Sequence, residues 1–206
     1  NRPPVVESIP AQTVDENAQL TFDVTGSDPD TEDEGKWSIS ASGVPEGAVF
    51  DSTSHVFNWT PTFEQSGSYQ VQFTNSDPSG MTDQKTVNIT VNHVNRTPVF
   101  PEQAPQTVNE NELLTYTLVP ATDPDAEDEG KITYQAAGLP QGAQFDAATL
   151  TLTWTSTYAQ SGSYTINFSA TDGEFTVSQQ LEIRVNHVNR PPVIPEIPEQ
   201  SVEENT

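Results

Sequence analysis

Two short stretches of the chain concentrate carboxylates in a way that invites a cation. Asp28, Asp30, Glu32, Asp33 and Glu34 precede Lys36, and Asp123, Asp125, Glu127, Asp128 and Glu129 repeat the pattern before Lys131, so ten of the 30 acidic residues fall in two loops. Like charges packed so densely cost free energy unless solvent screens them or a cation sits among them. Calcium takes six to eight oxygen ligands in flexible geometry, so clustered carboxylates joined by carbonyl and amide oxygens suit it. The loop is not an EF-hand, because Asp33 stands where that loop needs glycine and Ile39 where it needs the bidentate glutamate. The alternative reading of the same residues is a solvated acidic surface that keeps the chain soluble.

These loops belong to a repeating unit. The string Asn-Arg-Pro-Pro-Val begins at Asn1, its variant with threonine at Asn95, and the original again at Asn189, a period of 94 residues. The register holds inside the unit: Glu16 and Asn17 correspond to Glu110 and Asn111, and QSGSY, ending at Tyr69 and Tyr164, recurs one residue later than the period because a one-residue insertion before Asp123 is cancelled by a deletion before Asn186. The expected organisation is a first module over 1–94, a second over 95–188, and over 189–206 a linker with the first strand of a truncated third. The chain opens on Asn1, with no signal peptide, and stops inside the motif, so it reads as a piece of something longer.

Each module reads as strands. Residues 20–24, 36–40, 56–60, 69–73 and 87–91 alternate apolar and polar side chains with period two, as do their copies LLTYTL, KITYQ, LTLTW, YTINF and LEIRV. Only 33% of the 206 residues are hydrophobic, with 17 prolines and 11 glycines, which fits short strands and many turns rather than a helical bundle. The expected fold class is all-β, with tandem immunoglobulin-like (cadherin-like) Greek-key β-sandwiches of about seven strands each. A net charge of −23 argues against nucleic acid and anionic membranes, because every phosphate contact would oppose the global field. The chain has no cysteine, hence no disulfide framework, and nothing approaches a membrane span of roughly 18 apolar residues.

In QSGSYQV and QSGSYTI, a glycine two before a tyrosine at a strand start resembles the tyrosine corner of immunoglobulin-like sandwiches, with Tyr69, Tyr164, Trp59 and Trp154 expected in the core and Trp37 as a buried strand residue. VDENAQLTFDVTGSDPD and its copy resemble the opening half of a cadherin repeat. The later parts, including LPQGAQFD, NFSATDG and IRVNHVNRPPV, are similar to dystroglycan-type cadherin-like and immunoglobulin-like repeats of large surface proteins. Those families are sandwiches strung in arrays, and many use calcium.

The resemblance implies a ligand set. It matches the early-strand glutamate with Glu16 and Glu110, the glutamate before the F-strand tyrosine with Glu64, and the aspartate closing that strand with Asp77 and Asp172. Where the cadherin linker has aspartates, this chain has Asn92 and Asn95, and where it has asparagines, Val94 and Arg96, which puts a three-ion cluster in doubt. A cadherin-like junction would draw on Glu16, Glu64, Asn92, Asn95, Asp123, Asp125 and Asp172, and the first module on Asp28, Asp30 and Asp77. Turn formation by the asparagines and Asp77 or Asp172, and solvation of Glu64, are the competing readings.

An enzyme would need a nucleophile with a base, or a paired acid and base in a cleft. GxSxG, HExxH and phosphate-loop signatures are missing from the sequence, and His93 and His187 recur as linker packing residues. The resemblance thus implies a non-catalytic, calcium-binding segment of a cell-surface or secreted protein, acting in adhesion or as a calcium-rigidified spacer, with calcium and another surface protein or a glycan as partners. The alternative is a carbohydrate-binding module attached to a polysaccharide-acting extracellular protein, with Phe63, Tyr158 and Phe175 as the aromatics open to a sugar.

Overall fold

The computed structural model describes residues 1–33, 35–202 and 204, so Glu34 of the first acidic loop lies outside the described residues. No α-helix occurs among them. The chain forms two compact units: Asn1–Arg96 together with Asp123–Glu129, and Thr97–Thr122 together with Gly130–Thr206. The second acidic loop therefore packs with the first unit, although its sequence copy falls in the second repeat.

In the first unit, a four-stranded sheet holds β2 (Gln12–Asp15), β5 (Ser38–Ser42), β8 (Gly67–Ser76) and β9 (Thr82–Asn92) in the order β2-β9-β8-β5. A three-stranded sheet holds β3 (Leu20–Asp23), β6 (Val49–Asp51) and β7 (Val56–Trp59) in the order β3-β7-β6. The two-residue strands β1 (Val5–Val6) and β4 (Gly26–Ser27) pair beside them. All pairings are antiparallel except the first strand of the large sheet, β2, which runs parallel to the last, β9, in the register Gln12↔Ile89 to Asp15↔Asn92.

The second unit repeats this. The order is β10-β16-β15-β12 in one sheet and β11-β14-β13 in the other, for β10 (Gln106–Asn109), β11 (Leu113–Thr117), β12 (Thr133–Ala137), β13 (Gln144–Asp146), β14 (Thr151–Thr155), β15 (Gly162–Thr171) and β16 (Thr176–Asn186). Here β10 is again parallel to β16. Residues 189–202 and 204 form no strand. In both complete copies the corresponding segment is held by the last strand of its own repeat, and no described strand plays that part for a third.

Period-two alternation produces the core. β8 buries Val71 and Phe73 while β9 buries Val87, Ile89 and Val91, and from the facing sheet Leu20, Phe57 and Trp59 close the layer. Phe57 meets Phe73 edge-on across the two sheets, with ring centroids 6.3 Å apart. The second unit places Ile166, Phe168, Leu181, Ile183, Leu152 and Trp154 in the same way. Fully burying each such side chain contributes about 1.5–3 kcal/mol. Tyr69 and Tyr164 donate their hydroxyls to the carbonyls of Gln65 and Gln160 at 3.0 and 2.9 Å, the tyrosine corner expected from the sequence. Each stands edge-on to its tryptophan at 4.8 Å.

Trp37 departs from expectation. It precedes β5 rather than lying in it, is only partly buried, and stacks on His55 at 5.2 Å. The strand begins two residues late because the turn containing Gly35 at φ 70° delivers the chain to the sheet edge only at Ser38.

Candidate functional site

Glu16 is turned inward by its neighbour. Asn17 adopts a left-handed backbone, φ 57°, as does Asn111 at 61°, a conformation asparagine tolerates better than most residues. The turn is closed by Ala18 N–H donating to the Asp15 carbonyl at 3.1 Å and anchored by Asn17 N–H donating to the Pro61 carbonyl at 2.8 Å. The Glu16 side chain, fully buried, then accepts from Ser66 N at 2.9 Å through Oε1 and from Val94 N at 2.8 Å through Oε2. Glu110 does the same with Ser161 N at 3.1 Å and Val188 N at 2.8 Å. The Val188 amide, ahead of the Ser161 and His187 contacts, holds the Glu110 carboxyl below the usual range. Both glutamates expected as ligands thus cap the backbone that follows the last strand of their own repeat.

His93 stands over the same carboxylate. Its Nδ1 lies 3.1 Å from Glu16 Oε2 and 3.0 Å from Glu127 Oε2, and its Nε2 lies 3.1 Å from Asp128 Oδ2. Ionised carboxylates only accept, so this arrangement calls for both ring nitrogens to donate, as in the imidazolium. Burial pushes the His93 pKa down, but the Asp128 hydrogen bond and the Glu127 and Glu16 charges outweigh it and raise it. Glu127 also accepts from the Ser66 hydroxyl. Candidate ligand atoms of His93, Asp125 and Asp128 lie within 4.8 Å of one another.

The Asp-Pro-Asp loops share one construction. Asp28 Oδ1 accepts from Asp30 N at 2.8 Å, and Asp123 Oδ1 from Asp125 N at 2.9 Å. The second aspartate of each loop is gripped by the arginine of an Asn-Arg-x-Pro segment. Asp125 accepts from Arg96 Nε through Oδ1 and from Arg96 N through Oδ2, both at 2.6 Å. Asp30 accepts from Arg2 Nε at 2.9 Å and Arg2 N at 2.5 Å. The amide and guanidinium of Arg2 hold the Asp30 carboxyl below its ordinary range.

The remaining expected ligands have partners of their own. Asp77 is buried, accepting from Ser79 N and Met81 N at 2.9 Å and from Asn1 Nδ2 at 2.7 Å. Asp172 accepts from Glu174 N and Phe175 N of its own turn, each at 2.7 Å. Asn92 is exposed and donates to Asp15 at 2.8 Å, Asn95 is half-buried in the same segment, and Glu64 is exposed in the turn before β8.

The fit to calcium rests on two atoms. Asp28 Oδ2 and Asp123 Oδ2 are buried with no hydrogen-bond partner, so each loop presents one carboxylate oxygen that a hard cation would satisfy. The oxygens of Asp30, Asp125 and Glu16 are already engaged by protein donors. The donor set fits an ion held through the first aspartate of each loop.

Sequence reasoning missed Arg96 and His93 as partners of the acidic loop. The available signal was the rarity of basic residues: of seven in the chain, Arg2, Arg96 and Arg190 occupy one equivalent position of the repeat.

The family described as "Putative Ig domain" matches residues 3–92 and 97–186. No match is found among curated proteins. Among solved structures, the first two domains of human mucin-like protocadherin are similar at TM-score 0.60 and 19% identity, covering 90% of this chain and 98% of that one. The corresponding pair of human protocadherin-24 gives TM-score 0.53 and 18% identity over 90% and 99%. An endo-fucoidan hydrolase of glycoside hydrolase family 107 gives TM-score 0.40 and 16% identity, and the chain spans 29% of its length and is covered over 90% of its own. Two successive copies matched nearly end to end, each folded as a sandwich like a cadherin extracellular domain, mean that the chain belongs to the Putative Ig domain family as a cadherin-like tandem repeat.

Proposed function

We propose that the chain is a non-catalytic segment of a cell-surface or secreted protein, serving adhesion or spacing, in which calcium is taken up at the first aspartate of each Asp-Pro-Asp loop. The observation that carries the calcium reading is the pair of buried, unpartnered oxygens at Asp28 and Asp123. An unsatisfied buried acceptor is costly, and a bound cation would compensate it while leaving the sandwich cores untouched. The likeness to cadherin domains and the tandem array support an extracellular setting.

Sugar binding has less to stand on. Trp59 and Trp154 are buried, and a surface depression on the second unit among Glu102, Gln103, Asn167, Gln179, Gln180 and Glu182 has no aromatic in its lining.

Calorimetric calcium titration of the full chain tests the reading. Saturable binding is expected, with added thermal stability of about 2.7 kcal/mol at one hundred times Kd. Asp123→Asn together with Asp28→Asn should abolish both signals. Absence of any heat or melting shift up to about ten millimolar calcium, far above the weakest calcium modules, would sink it.

A further inference from the structure

We infer that the arginine of each Asn-Arg-x-Pro segment is a built-in counter-cation of the Asp-Pro-Asp loop, so that the second aspartate is closed to calcium and the loop folds without it. The inference rests on the reading above only in assigning calcium to the first aspartate.

The grip is the same in both copies. Backbone N and Nε of one arginine take the two oxygens of one carboxylate, at 2.6 Å each for Arg96 on Asp125 and at 2.5 and 2.9 Å for Arg2 on Asp30. Nη2 of the same guanidinium reaches the carbonyl of the intervening proline, Pro124 or Pro29. This contact adds a third point of attachment, and charge-assisted hydrogen bonds of this kind are the strong ones.

At Asp125 the pair is enclosed. That side chain is 1% exposed and Arg96 is 32% exposed, while the guanidinium lies 4.5 Å from the centroid of the Phe63 ring. Stacking on an aromatic face holds a cation in place. A divalent ion would have to displace a guanidinium bound through several contacts, or approach it against like charge. Lysine could supply the charge but not the fork. The same position is Arg190 in the third copy of the motif, where its guanidinium lies 4.2 Å from the centroid of the Tyr158 ring, the aromatic that matches Phe63.

The test measures melting temperature in chelator and in calcium, with calcium affinity by competition against a chelating dye. Full-length wild type, Arg96→Gln, Arg96→Lys and Asp123→Asn are compared. In chelator, Arg96→Gln should melt at least about 5 °C below wild type, as expected for an uncompensated buried carboxylate in a small domain. It should also bind calcium at least tenfold more tightly, because the freed Asp125 oxygens join Asp123. Arg96→Lys should fall between wild type and Arg96→Gln in melting temperature while keeping the wild-type calcium affinity.

If Arg96→Gln leaves both the chelator melting temperature and calcium affinity unchanged, the inference is overturned. If wild type ignores calcium but Arg96→Gln acquires a response, the inference stands and the calcium reading of the native loop fails. A wild-type response erased by Asp123→Asn, with Arg96→Gln indifferent, overturns the inference and upholds calcium at the first aspartate.

Discussion

The Glu16 carboxylate accepts the backbone N–H of Val94 at 2.8 Å, across 78 residues of sequence, and Glu110 repeats the contact with Val188 at the same distance. A buried carboxylate at the start of each sandwich thereby fixes the path of the chain leaving its last strand. Glu16→Ala should cost roughly 1–3 kcal/mol for each donor it leaves unsatisfied. Glu16→Gln should recover part of the loss, because the amide keeps one acceptor. Chemical denaturation of the three proteins measures this, and an alanine variant as stable as wild type would contradict it.

Tryptophan quenching should separate the three indoles. Trp59 and Trp154 are 2% and 1% exposed, whereas Trp37 is partly exposed beside His55. A neutral quencher should reach one component of the emission, and Trp37→Phe should remove it while leaving a blue-shifted, unquenched remainder. Soluble polysaccharides should leave the spectrum unchanged. A saturable shift with one glycan, lost in Tyr158→Ala, would favour the sugar-binding alternative.

The pH dependence follows from His93. The imidazole is faced by Glu16, Glu127 and Asp128, which outweigh its burial and raise its pKa in the folded chain. A raised folded value means that the ion pairs stabilise fully below the unfolded histidine value, about 6.5. Their contribution is lost as pH rises through the higher folded value. Melting temperature should therefore fall over this alkaline side more in wild type than in His93→Gln. Parallel profiles for the two proteins would show that His93 titrates without consequence.

The fold was legible where alternation was long enough to count. VFNW and YQVQF carry two or more buried side chains each, and their period of two could mean little else. β2, β6, β10 and β13 could not be delimited from sequence, because three or four residues with one inward side chain are no pattern. The acidic loops stood out as charge, but their cations come from far along the chain, Arg96 being 29 residues from Asp125. The direction of the glutamate in the Glu-Asn pair was not legible, because composition says nothing of direction. Only the left-handed turn at Asn17 reveals that it points inward, to the backbone at Ser66 and Val94.

The parallel pairing of β2 with β9, and of β10 with β16, has a mechanical meaning. First and last strands that run the same way require the chain to enter a sandwich at one end and leave at the other. Tension applied through the ends of such a repeat pulls its terminal strands past each other along their length. The four-residue ladder from Gln12↔Ile89 to Asp15↔Asn92 is then loaded in shear, its hydrogen bonds sharing the force instead of opening one at a time. Each repeat is wired to bear a pull along its own axis.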